Sequence, residues 1–160
     1  MALTKVSGTV SNISAGDVGL GNVTNESKAT MFSSPTLTGN LTIQQTAEVV
    51  NTLTGATGVI THDYATGSIW YHTGIAANFT ANFTNVPTTD NRAHVVTLIL
   101  VQGATPFYPN AVQVNSGAAT IKWQDNITPT PLANKTEIVS FSLIRVGAAW
   151  VVVGGLSSYG

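Results

Sequence analysis

The sequence predicts an all-β protein: a β-sandwich, jelly-roll-like head over residues 45–160, preceded by an extended N-terminal segment over residues 1–44. Three observations lead there. From residue 45 onward, apolar and polar residues alternate in short runs, the period of half-buried strands. Turn signals built from Gly, Asn and Pro separate these runs at short, regular spacing, as in sandwiches and jelly rolls. The polar fraction is Thr, Asn and Ser rather than charge: only 8% of residues are charged while 43% are hydrophobic. Thr favours strands, and Asn and Gly favour turns.

The first forty-odd residues hold few bulky side chains. Residues 4–10 read as a short strand, and residues 14–22 carry too much Gly for a regular element. Residues 25–33 could form two helical turns, with Asn25 as N-cap and Glu26 where the helix dipole favours an anion. Pro35 disfavours helix at Ser34 and should end it. Next comes a clean alternation, with Leu37, Gly39, Leu41 and Ile43 on one face and Thr36, Thr38, Asn40 and Thr42 on the other. That apolar face requires a cover, either from the C-terminal domain or from copies of itself about a symmetry axis. The second is preferred; together with the family resemblance given below, it makes 1–44 the expected attachment and trimerisation segment. Val18, Leu20, Leu37, Leu41 and Ile43 are the candidate axis residues.

In the head, strands are expected at 47–54, 57–62, 67–73, 78–84, 93–101, 111–115, 119–123, 136–146 and 149–154. The turn signals between them include 54–58, 65–67, 87–91 and Asn115-Ser116-Gly117. Residues 78–84 show the register most plainly. Phe79, Ala81 and Phe83 point one way, and Asn78, Thr80, Asn82 and Thr84 point the other. A segment of this length can bury a real core.

A formal net charge of −1 gives nothing to draw the chain to nucleic acid or an anionic membrane. A surface with so little charge offers weak repulsion against self-association, which suits an obligate oligomer. The chain has no cysteine, which excludes disulfides and thiolate metal sites. The residues from Met1 to Lys5 lack the apolar run of a signal peptide, and Val95 to Val101 is too short to span a bilayer. The expectation is a chain that is made in a cytoplasm and stays soluble until assembled. The Asn-x-Ser/Thr triplets at Asn22, Asn78 and Asn126 then read as products of composition rather than glycosylation sites.

The catalytic inventory is thin. His62, His72 and His94 are the only histidines. On a strand, His62 and Asp63 would point to opposite faces. His62 and His72 could approach across a hairpin, but no carboxylate is fixed beside them by spacing. The expected roles are hydrogen-bonded surface or interface residues, with no metal and no cofactor. Glycan hydrolysis needs two carboxylates about 5–10 Å apart. The seven acids, Asp17, Glu26, Glu48, Asp63, Asp90, Asp125 and Glu137, show no spacing that argues for such a pair. No nucleophile elbow, phosphate loop or dinucleotide fingerprint occurs. No catalytic residue is therefore assigned.

Binding is better supported. Residues 102–110 form a loop with Phe107 and Tyr108 held between prolines, and residues 124–135 form a second long loop beside Trp123. Aromatic rings near Asn and Asp suit sugar rings, which offer an apolar face and hydroxyls together. Phe107, Tyr108, Trp123, Asp125 and Asn126 are the candidate receptor- or partner-binding residues. The competing reading is that the aromatics plug the sandwich end or a subunit interface, and it carries the greater weight because aromatics dominate both.

Two stretches carry a family resemblance. Residues 16–25, Gly-Asp-Val-Gly-Leu-Gly-Asn-Val-Thr-Asn, resemble a segment found in many phage tail-fibre proteins. Residues 34–43, Ser-Pro-Thr-Leu-Thr-Gly-Asn-Leu-Thr-Ile, resemble a second element of the same proteins. The C-terminal part resembles a domain of virion structural proteins from phages of marine cyanobacteria. Residues 98–105, Ile121-Lys122-Trp123, 139–145, 150–155 and Tyr159-Gly160 carry that likeness. The resemblance implies a non-enzymatic virion component of a tailed bacteriophage: a short homotrimeric fibre or appendage. Its partners would be itself, other virion proteins of tail, baseplate or capsid, and a host-surface glycan. The alternatives are a capsid decoration (cement) or head-fibre protein and, as a minor reading, a small glycan hydrolase.

Overall fold

The computed structural model describes residue 42 and residues 44–160. Residues 1–41 and 43, and with them the candidate axis residues Val18, Leu20, Leu37, Leu41 and Ile43, lie outside the described residues. Gln45–Gly160 forms one compact unit. It is all-β, with helix confined to two short 3₁₀ turns at Tyr64–Thr66 and Gln124–Asn126.

Ten strands build two sheets. They are β1 (Val50–Thr54), β2 (Gly58–Asp63), β3 (Ile69–Thr73), β4 (Phe79–Thr84), β5 (Arg92–Val101), β6 (Pro109–Val114), β7 (Gly117–Ala119), β8 (Ile121–Trp123), β9 (Thr136–Val146) and β10 (Ala149–Tyr159). The six-stranded sheet runs β1-β3-β5-β9-β10-β8 and the four-stranded sheet β2-β4-β6-β7. Through β6 the chain changes sheet at every connection, so each strand lies parallel to the strand two before it. The result is a flattened coil of three turns. Its corners are short, and Gly55 and Gly58 take left-handed φ values of 72° and 68° in the first of them.

The second half closes the coil. The β6–β7 hairpin turns on Asn115 and Ser116, both at positive φ, the geometry of a two-residue type I′ turn. The Asn115 side chain donates to the Val86 carbonyl at 2.9 Å and accepts from the Val86 amide at 3.0 Å, which pins the neighbouring loop. Next the long β9–β10 hairpin returns to the six-stranded sheet, where β9 pairs antiparallel with β5.

A jelly roll pairs its strands antiparallel. Five of the eight pairings here are parallel. The expected all-β, two-sheet character is present, and the connectivity departs from a jelly roll. The reason is that alternation reports which face a residue takes and says nothing of which strand lies beside it.

The two sheets bury a common core. Trp70, Leu98, Leu100, Phe141, Leu143 and Val152 come from one side, and Phe79, Ala81, Phe83, Val112 and Val114 from the other. Phe83 meets Trp70 at 5.8 Å and Phe141 at 5.9 Å between ring centroids, tying the layers together. The outer faces differ. Outside the four-stranded sheet the register aligns polar residues, Thr61 beside Asn82 and Asn82 beside Gln113. Outside the six-stranded sheet it aligns Tyr71 with Ile99, Ile99 with Ile138, and Ile144 with Val151.

Candidate functional site

The two long loops meet at one end of the sandwich, at the C-terminal ends of β5 and β10 and the start of β9. Gln102 and Glu137, both buried, hold them. The Gln102 amide donates to the Phe107 carbonyl at 2.6 Å and to Glu137 Oε2 at 2.7 Å, and its oxygen accepts from the Phe107 amide at 3.0 Å. Glu137 Oε1 accepts from the Leu132 backbone amide at 2.7 Å and from Ser158 Oγ at 2.8 Å. One carboxylate therefore ties the 102–110 loop, the 124–135 loop and β10 together. Two backbone bonds join the loops directly, Gln102 N to Lys135 O and Asn134 N to Gly103 O, each 2.9 Å. A buried carboxylate survives desolvation only when such donors surround it.

Glu137 was not among the expected site residues, although the sequence held a signal. It falls in phase with Val139, Phe141 and Leu143, a carboxylate on the inward apolar face of a strand.

The expected binding residues divide. Trp123 and Tyr108 are half-buried, with ring centroids 6.2 Å apart. Trp123 also lies 5.7 Å from Phe141. Both rings pack on the core edge, Trp123 and Phe141 over Gly154. A Cβ at Gly154 would come within 2.8 Å of the Phe141 ring, so only glycine admits this stack. Asp125 and Asn126 are exposed and take left-handed φ values of 55° and 58°, which Asp and Asn tolerate. Trp123 and Asp125 line a shallow trough of about 190 Å³ together with Gln124, Ile127, Pro129 and Leu156. Phe107, Tyr108 and Asn126 do not line it. The trough offers apolar walls, a ring and a carboxylate, a combination suited to one or two sugar units or a short peptide.

The histidines lie elsewhere. The structure corrects the expectation of surface or interface residues for two of them: His62 and His72 are fully buried between the sheets. They meet across the layers, from β2 and β3, rather than across a hairpin, because those strands belong to different sheets. Their Nε2 atoms are 3.0 Å apart, so one ring donates and the other accepts. Trp70, Phe79 and Phe83 surround them. Burial lowers the His62 imidazole from its usual 6.5 to about 3, with the His72 charge adding to the effect, and burial lowers His72 to about 4. Both are therefore neutral near pH 7. Among the described residues no group of three or more His, Cys, Asp or Glu side chains gathers where it could hold a metal ion. His94 meets the Tyr64 hydroxyl at 3.3 Å through Nδ1.

Four of the described carboxylates serve the fold. Glu137 ties the loops. Asp63 caps the Tyr64–Thr66 turn at 3.0 Å and accepts from Asn85 at 2.8 Å. Asp90 accepts from the Ala148 amide at 3.1 Å and pairs with Arg145 at 3.4 Å. Glu48 accepts a short hydrogen bond from Ser68. Asp125 is left exposed on the trough.

No protein-family profile, curated protein or solved structure matches this chain.

Proposed function

We propose that the chain is a non-enzymatic structural component of a tailed-phage virion. In this reading it is a short homotrimeric fibre or appendage, and its head contacts a host-surface glycan or another virion protein. The observation that carries this reading is the loop end of the sandwich. Two long loops are fixed to each other and to the sheet through the buried Glu137, and beside them lies an uncharged-walled trough with a single exposed carboxylate, Asp125. Rigid loops on a β scaffold lose little entropy when they engage a partner. Pro106, Pro109, Pro129 and Pro131 restrict them further.

Two further points support the reading. The structural use of Glu48, Asp63, Asp90 and Glu137 leaves one described carboxylate free, which favours adhesion over hydrolysis by a carboxylate pair. The segments at 16–25 and 34–43 resemble segments found in many phage tail-fibre proteins.

The test is quantitative mass spectrometry of gradient-purified particles from cells infected with the phage that encodes the chain. The reading expects the chain in the particles at a fixed copy number divisible by three. Finding it only in the soluble lysate would overturn the reading.

A further inference from the structure

We infer that the outer face of the six-stranded sheet packs against other copies of this chain and forms the subunit interface of the head. The inference rests on the proposed function only for the number of copies; the surface itself is argued from the fold.

The strand register fixes which residues share this face. Val50 aligns with Ile69 and Ile69 with Thr97; Val95 aligns with Ser142, and Ser142 with Val153. Six of the ten exposed large apolar side chains among the described residues lie here: Val50, Tyr71, Val95, Val146, Val153 and Tyr159, with Val95 58% and Val50 51% exposed. The interleaving residues are Thr and Ser. Among the described strand residues the register places one charge on the face, Lys122 on the edge strand β8. The other outer face, across the sandwich, carries Thr61, Asp63, Thr80, Thr84 and Gln113 around a buried Asn82, with Val59 its one strongly exposed large apolar side chain among the described residues. A monomer would have no reason to treat its two faces so differently, since both would meet water.

Charge and area identify the occupant. A face nearly free of charge is complementary to another like itself, whereas a charged partner would leave its own charges unpaired on docking. At about 3.3 by 4.8 Å per strand residue, this face spans roughly 700 Å². A standard stable interface uses about 800 Å² per partner. The face also has relief. A groove of about 510 Å³ runs past Ile69, Val95 and Thr97, with Val49 and Glu48 at its rim, and could seat side chains from a neighbouring copy.

The experiment compares full-length chains by sedimentation equilibrium. Wild type is expected at three times the 16.6 kDa chain mass. Val95→Lys/Val153→Lys places two ammonium groups in one row of the face and should reduce the mass threefold, with far-ultraviolet circular dichroism unchanged. Thr61→Lys/Thr80→Lys, on the opposite face, should leave the mass at the wild-type value. If the Val95/Val153 lysine variant stays assembled like wild type, the face is not the interface, and a trimer held by residues 1–44 stands instead. A monomeric wild type overturns both this inference and the homotrimer reading. Should the lysine variant unfold, Val95→Thr/Val153→Thr decides. Self-association weakened about tenfold or more supports the interface, and unchanged association overturns it.

Discussion

The buried histidine pair makes acid sensitivity a quantitative consequence of the fold. His62 and His72 are neutral inside the core, with pKa values lowered to about 3 and about 4 by burial. In the unfolded chain both titrate near 6.5. Below that pH the unfolded state binds protons that the folded state refuses, so stability is full above pH 6.5 and falls as the pH drops toward 4. At pH 5 each histidine costs about 2 kcal/mol, roughly 1.5 pH units at 1.36 kcal/mol per unit, and the pair costs about 4 kcal/mol. That is a large share of a domain stability of about 5–15 kcal/mol. The window from pH 6.5 to 5 isolates the effect, because ordinary carboxylates near 4 scarcely titrate there. The assay is urea denaturation at half-unit pH steps. The slope of unfolding free energy against pH should approach two protons, about 2.7 kcal/mol per pH unit, by pH 5. A single substitution, His72→Gln, should halve that slope if the variant folds. A flat profile between pH 6.5 and 5 in the wild-type chain would refute the argument, since it would mean the imidazoles bind protons equally well in the core and in water.

Two further substitutions probe the loop end. Glu137→Ala removes the acceptor of Gln102, Leu132 and Ser158, and each donor left unpaired costs about 1–3 kcal/mol. The expected result is a melting temperature lower by ten degrees or more, with faster hydrogen exchange in 102–110 and 124–135; unchanged exchange there would contradict the tie. Gly154→Ala drives a methyl into the Phe141–Trp123 stack, and such overpacking costs about 1–3 kcal/mol. Thermal melting should show the loss, and Trp123 emission should shift with it; a variant as stable as wild type would mean that the stack yields freely.

Much of the strand map could be read from the sequence, because alternation records burial directly. The run at 78–84 is observed as Phe79–Thr84, and the Asn115-Ser116 turn joins β6 to β7. Strand order could not be read. A corner that sends the chain to the opposite sheet uses the same Gly and Thr as a hairpin, so the parallel coil of β1 to β6 leaves no local mark. The inward polar residues were the subtler signal. His62 is in phase with Ile60, His72 with Trp70 and Glu137 with Val139, each a polar group on an apolar face that must find a partner inside. Their partners come from other strands, at separations that only the folded chain determines. Within the candidate site, Trp123 and Asp125 come together at the trough as neighbours in sequence. Phe107 and Tyr108 sit on the other loop, where the Gln102 side chain holds the Phe107 backbone.

Electron microscopy of intact particles, with a label fused to the C-terminus of this chain, tests the central claim most directly. A structural fibre or appendage predicts label at a few discrete positions on each particle, in groups with threefold symmetry. Label spread evenly over the capsid lattice would assign the chain to decoration instead, and unlabelled particles would contradict a virion role altogether.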